Sequence, residues 1–252
     1  MKKNKRIYVF DWDDNIIHMP TTIRLERNVG GVWITEEVST MKYAIIRDSD
    51  EYRYPLGVAD PYLNFSNNPQ FISDLSIALE DKRFGPSFSK FKECLMYGND
   101  FAIITARGQS KHVILAGIIM IIGKTFFNDE MNIMLNNVGD LNEYLSRQVI
   151  CPVTSDEMDF TELKESNAED KDEENIQLRK VIALDRYIEN KINTTDFIEF
   201  DGKFSVGFSD DDEKNVKTIK DFIDSALKPR YPNLHFVVYD TSNPENVVKN
   251  QI

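Results

Sequence analysis

Five short apolar runs, at residues 7–11, 101–105, 148–153, 204–208 and 235–239, recur along the chain with longer amphipathic stretches between them. A run of four to eight apolar, β-prone residues bounded by polar ones predicts a buried strand. The stretches at 71–80, 88–97, 111–122, 178–191 and 213–227 space apolar residues three and four apart, as a helix with one buried face does. In the last of them Val216, Ile219, Phe222, Ile223 and Ala226 share a side. Strands alternating with helices predict an α/β fold with a Rossmann-like, mostly parallel sheet.

Residues 22–54 break this rhythm. Ile23 and Leu25 alternate with polar neighbours, Gly30 and Gly31 follow, and Val32, Ile34 and Val38 continue beyond them. A glycine pair between alternating runs predicts a hairpin, with residues 41–47 expected as a third strand. This β-rich insertion comes just after the first core strand, so it is expected to serve as a flap or small cap beside that strand's end. Residues 156–175 are dense in acidic side chains and poor in apolar ones, which predicts a solvated loop. The whole chain, 1–252, is expected to be one domain carrying these two additions.

Composition narrows the classes of function. Of 252 residues, 41% are hydrophobic and 29% charged, as in ordinary globular proteins, and 30 basic against 42 acidic residues leave a net charge of −12. That charge disfavours broad binding to a nucleic-acid backbone, although a local basic groove could survive it. Cys94 and Cys151 form no CxxC pair, so a reducing compartment without structural zinc is expected. The most apolar window, 113–122, is broken by Gly123 and Lys124 well short of a membrane span. The expectation is a cytoplasmic protein with no membrane partner.

The candidate chemistry lies where apolar runs stop. The first ends in Asp11, Asp13 and Asp14, and the fourth is followed by Asp210, Asp211 and Asp212. Carboxylates this close repel unless a cation or shared proton compensates them, and a hard ion such as Mg²⁺ suits oxygen ligands. Asp11 and Asp13, two apart, could act as nucleophile towards phosphorus and as general acid/base. Thr105, followed by Ala106, Arg107 and Gly108, offers a hydroxyl and backbone amides at a strand-to-helix turn, which suits a phosphate oxygen. Lys180 sits beside the apolar face of its helix. Each feature alone has a plain structural explanation, such as a polar turn, an N-cap or a solvated lysine; their joint occurrence is the signal.

An apolar strand with DxD, a strand ending in Thr, a helix-borne Lys and a strand ending in DD together resemble the haloacid dehalogenase superfamily, over residues 7–239. The resemblance implies Asp11 as nucleophile and Asp13 as acid/base that lends its backbone carbonyl to Mg²⁺. It further implies Thr105 and Lys180 on the phosphoryl group, and Asp210 and Asp211 completing the metal site, with Asp211 favoured as the direct ligand. Lys164, Lys171 and Lys191 compete in sequence with Lys180. A second aspartate in the first motif implies phosphatase rather than dehalogenase activity. Asn15 stands where the family usually has Thr or Val, and altered tuning is expected there. The segment ITARG is similar to the second motif of polynucleotide 3′-phosphatases. The expected function is therefore Mg²⁺-dependent phosphomonoester hydrolysis through an aspartyl phosphate, on a phosphorylated substrate of open class. A nucleic-acid 3′-phosphate end is the alternative substrate, and a binding or structural protein of the same fold with little turnover is the alternative function. A receiver-type phosphoacceptor would need an aspartate after the third strand, where Cys151, Pro152 and Val153 stand.

Overall fold

The computed structural model describes residues 4–56, 60–160, 173–194 and 202–252. In chain order the elements begin with β1 (Asn4–Phe10), followed by β2 (Thr22–Val29), β3 (Val32–Ser39), α1 (Thr40–Ile46) and β4 (Tyr52–Arg53) of the insertion. Next come α2 (Asn68–Glu80), α3 (Phe88–Met96), β5 (Phe101–Thr105), α4 (Lys111–Thr125), α5 (Asn128–Val138), α6 (Leu141–Ser146) and β6 (Val149–Pro152). The chain ends with α7 (Glu173–Ile192), β7 (Lys203–Asp210), α8 (Glu213–Phe222), β8 (Leu234–Asp240) and β9 (Val248–Gln251). A wide helical turn, Ile223–Leu227, prolongs α8.

The main sheet has the order β6-β5-β1-β7-β8-β9, parallel except for β9, which pairs antiparallel with β8 at the edge. This is the Rossmann-like α/β sheet the apolar runs predict. Alternation along β1 fixes its register, because side chains of successive strand residues point to opposite faces. Tyr8 and Phe10 join Phe101 and Ile103 in a core covered by α2–α6, whereas Ile7 and Val9 join Ala102 and Ile104 under α7 and α8. Each such Ile or Phe, fully buried, contributes roughly 1.5–3 kcal/mol.

The strand order reverses at β1, which has β5 on one side and β7 on the other. Open α/β sheets leave a crevice at such a point, outside the carboxyl ends of the strands. Asp11, Thr105 and Asp210 all lie at those ends.

The insertion forms a separate three-stranded sheet, β3-β2-β4. Ile23, Leu25, Val38 and Phe65 are its small core, packed by Tyr43, Ile46, Tyr52 and Tyr62. The β2–β3 hairpin turns through Gly30 and Gly31, both at positive φ (60° and 88°), where glycine carries no side-chain penalty. Residues 41–47 are not a third strand: they belong to α1 and its C-cap, Arg47, and β4 takes the sheet position instead. Ser39 caps α1, its side chain accepting from the Lys42 amide, and Tyr43 and Ile46, three apart, reach the small core together. That spacing is helical; a strand would have sent them to opposite faces. Of the predicted acidic loop, residues 161–172 lie outside the described residues, and 173–175 start α7 rather than a loop. Among the described residues, no helix is long and apolar enough to cross a membrane.

Candidate active site

The site is built on the bend that follows β1. The Asp11 amide donates to the Ser209 carbonyl (3.0 Å), carrying the β1–β7 ladder one residue past the strand. The chain then folds over its own Trp12, whose carbonyl accepts from the Ile16 and Ile17 amides. Asp14 takes φ 53°, a left-handed conformation that aspartate tolerates better than most residues. Asn15 locks the bend: its Nδ2 donates to the Asp11 and Ser209 carbonyls (3.0 and 3.1 Å) and to Ser209 Oγ (3.0 Å), while its Oδ1 accepts from Thr241. Thus Asn15 ties the first motif to the ends of β7 and β8. Gly85 passes close beneath; a Cβ there would lie 2.5 Å from the Asn15 carbonyl oxygen.

Lys180, 2% exposed on α7, reaches Asp11 Oδ1 at 2.9 Å and Asp210 Oδ2 at 2.8 Å. Of its competitors, Lys191 pairs with Asp100 instead, and Lys164 and Lys171 lie outside the described residues. Asp11, Asp210 and Asp211 each bring a carboxylate oxygen within 4.8 Å of the others, an arrangement able to hold a metal ion. Asp210 also accepts from the Asp212 amide and from Asn215 Nδ2, whereas Asp211 has no hydrogen-bond partner among the described residues.

Burial and like charge dominate the electrostatics. Burial pushes Asp11 up to about 8 against the opposing pull of Lys180, and Asp210 and Asp13 push the same way. Asp211 is held well above the carboxylate range by burial and by Asp11 and Asp210. Burial works against the Lys180 ammonium, but Asp11 and Asp210 outweigh it and raise its pKa. Fully ionised, three carboxylates facing one ammonium would carry two negative charges in excess, and that repulsion with burial is what drives Asp11 and Asp211 towards protonation. An all-oxygen donor set with that excess fits one hard divalent cation.

Asp13 stands apart from this cluster. Its carboxylate takes a two-point salt bridge from Arg107, Nε to Oδ2 at 2.8 Å and Nη2 to Oδ1 at 2.6 Å. Arg107 is fully buried, its guanidinium within about 5 Å of the ring centroids of Phe65 and Phe71, and Nη2 also donates to Thr21, which donates to Asp74. Burial raises the Asp13 pKa although Arg107 lowers it. The third aspartate of each run serves α1. Asp14 accepts from Thr40, at its first turn, and meets His18 Nδ1 at 2.8 Å. Asp212 accepts from Arg47 Nη1 and Nη2, at 2.7 and 3.0 Å, from the other end of α1. Arg47 holds the Asp212 pKa down despite the opposing effect of burial.

All the residues predicted for the site line one cleft of about 150 Å³: Asp11, Asp13, Thr105, Ala106, Lys180, Asp210 and Asp211. From the insertion the cleft receives Ile23, Thr40, Tyr43, Ala44 and Arg47, and Tyr62 joins them from the segment that follows it. The roles of Arg107, Arg47 and Thr40 leave no local signal in the sequence, because each is defined by a partner far away along the chain. Scans against family models, curated proteins and solved structures find no match for this chain.

Proposed function

We propose that the protein is a Mg²⁺-dependent phosphomonoester hydrolase of haloacid dehalogenase type. The observation that carries this reading is the buried Asp11 carboxylate, held by Lys180 beside two further carboxylates in a cleft that also contains Thr105 and Asp13. Asp11, Asp210 and Asp211 would hold the ion, with the Asp13 carbonyl, as the resemblance implies. When bound, Mg²⁺ would neutralise charge on the phosphoryl oxygens.

The chain's own groups supply the remaining chemistry. An Asp11 oxygen attacks phosphorus and the bond to the leaving oxygen breaks, while Asp13 gives that oxygen a proton. Lys180, Thr105 and the Ala106 amide hold the phosphoryl oxygens. Asp13 then takes a proton from water, which attacks the same phosphorus; the bond to Asp11 breaks, phosphate leaves and the carboxylate is restored. Burial moves Asp13 towards the protonated form that the first step needs, against the pull of the Arg107 ion pair.

A nucleic-acid end as substrate has less support. Arg47, the cation of the cleft that the phosphoryl group does not use, is engaged by Asp212, and the net charge is −12. The test is phosphate release from a panel of monoesters with Mg²⁺, together with acid quenching during turnover. Mass spectrometry should find one phosphoryl group on the peptide containing Asp11. Phosphate release with the label on another residue would end the proposed mechanism.

A further inference from the structure

The cleft is chemically two-sided. Beside the acidic cluster its apolar and aromatic lining is Ile23, Tyr43, Ala44, Tyr62, Phe65 and Ile176. Of its uncharged polar side chains, Thr40 donates to Asp14, Thr154 to the Ala106 carbonyl and Asn215 to Asp210, leaving Ser66 and Thr105. The tyrosine hydroxyls are engaged with one another: Tyr43 and Tyr54 at 2.6 Å, Tyr54 and Tyr62 at 2.8 Å, and Tyr62 and Tyr43 at 2.8 Å. Tyr62 also packs edge-on against Phe65, with ring centroids 6.0 Å apart. The cations that line the cleft are likewise committed, Lys180 between Asp11 and Asp210 and Arg47 on Asp212.

These commitments decide which leaving groups fit. A polyhydroxylated group would surrender water at Ile23, Tyr43, Ala44 and Phe65 with few hydrogen bonds in return, and that loss is costly. A second anionic group would have to break an existing ion pair to find a cation. A flat ring meets neither obstacle and gains contact with aromatic and aliphatic side chains. Resting on the phosphatase reading, we infer that the substrate is a monoester whose leaving group is an uncharged, flat, ring-bearing alcohol, seated against Ile23, Tyr43, Tyr62 and Phe65.

Three esters of primary alcohols test this, because their leaving oxygens are chemically alike: benzyl phosphate, glycerol phosphate and glucose 6-phosphate. With Mg²⁺ present, kcat/KM for benzyl phosphate should exceed the other two by about tenfold or more. Tyr43→Ala should shrink that ratio, and Tyr43→Phe, which keeps the ring, should preserve most of it. Equal rates, a preference for the sugar ester, or faster hydrolysis of a 3′-phosphorylated oligonucleotide would overturn the inference. If no ester is hydrolysed, the phosphatase reading fails, and a binding measurement still decides the pocket. Calorimetry with Mg²⁺ should show benzylphosphonate binding at least tenfold tighter than methylphosphonate; equal affinities overturn the inference.

Discussion

Asp11, Asp13 and Asp14 are near neighbours in sequence, yet burial and partners give them separate tasks, and Asp210, Asp211 and Asp212 divide in the same way. Asp11→Asn should abolish turnover, by about a thousandfold or more, without unfolding the protein. Retained hydrolysis alongside a native circular-dichroism spectrum would exclude a covalent aspartyl route. Asp211 faces Asp11 and Asp210 with no donor of its own among the described residues. Asp211→Asn should therefore raise the metal-free Tm by a few degrees, about 1–2 kcal/mol of relieved repulsion, and shrink the further rise that Mg²⁺ produces. Asp210→Asn should lower Tm instead, because Lys180 loses a buried partner at 2.8 Å. Calorimetric scans with and without Mg²⁺ distinguish the two, and identical behaviour would contradict the division of roles. Arg107→Gln breaks a buried two-point ion pair and should cost about 3–5 kcal/mol of stability. Asp11, Asp13, Thr105, Lys180, Asp210 and Asp211 were legible because each ends an apolar run or borders an apolar face. Arg107 stood within a quoted motif, but its task depends on Asp13, Thr21 and two phenylalanine rings that only the fold assembles.

Among the elements, α1 is both the largest surprise and the one most directly tied to the site. Its apolar content satisfied a strand pattern as well as a helical one, and the Ser39 cap with the Tyr43–Ile46 spacing decided the outcome. Helix α1 is held at both ends, by Thr40 on Asp14 and by Arg47 on Asp212. Arg47→Met should release one end. Hydrogen exchange of the α1 amides should then quicken while β1 and β5 remain protected. Unchanged exchange in α1 would show that the small core alone fixes it. The hairpin tip is different: Val29 and Val32 are exposed, and neither lines the cleft. The sequence also concealed β9 and α5. The first is a four-residue edge strand with one apolar residue, and the second buries only Met134 fully.

At the scale of the whole molecule, the three-carboxylate donor set with its raised Asp11 and Asp211 pKa values links folding to metal binding, since a cation bound to the native state would take the place of those protons. Mg²⁺ at a hundred times its Kd should stabilise the native state by about 2.7 kcal/mol, roughly 5–10 °C in Tm for a chain of this length. A Tm indifferent to Mg²⁺ would remove the cation from the site. The parallel core was readable because its strands are short apolar runs between amphipathic helices. Their spatial order was not, since pairing of β1 with both β5 and β7 leaves no local trace. That pairing also sets a schedule for the chain as it is made. β1 leaves the ribosome well before the strand it pairs with, since Lys203, the partner of Asn4, lies 199 positions further along the chain. At 5–20 residues per second that separation amounts to roughly 10–40 s. Throughout that interval the apolar strand that becomes the middle of the sheet has an unpaired edge, so the nascent chain must be shielded from its neighbours long before the carboxylates of the cleft can meet.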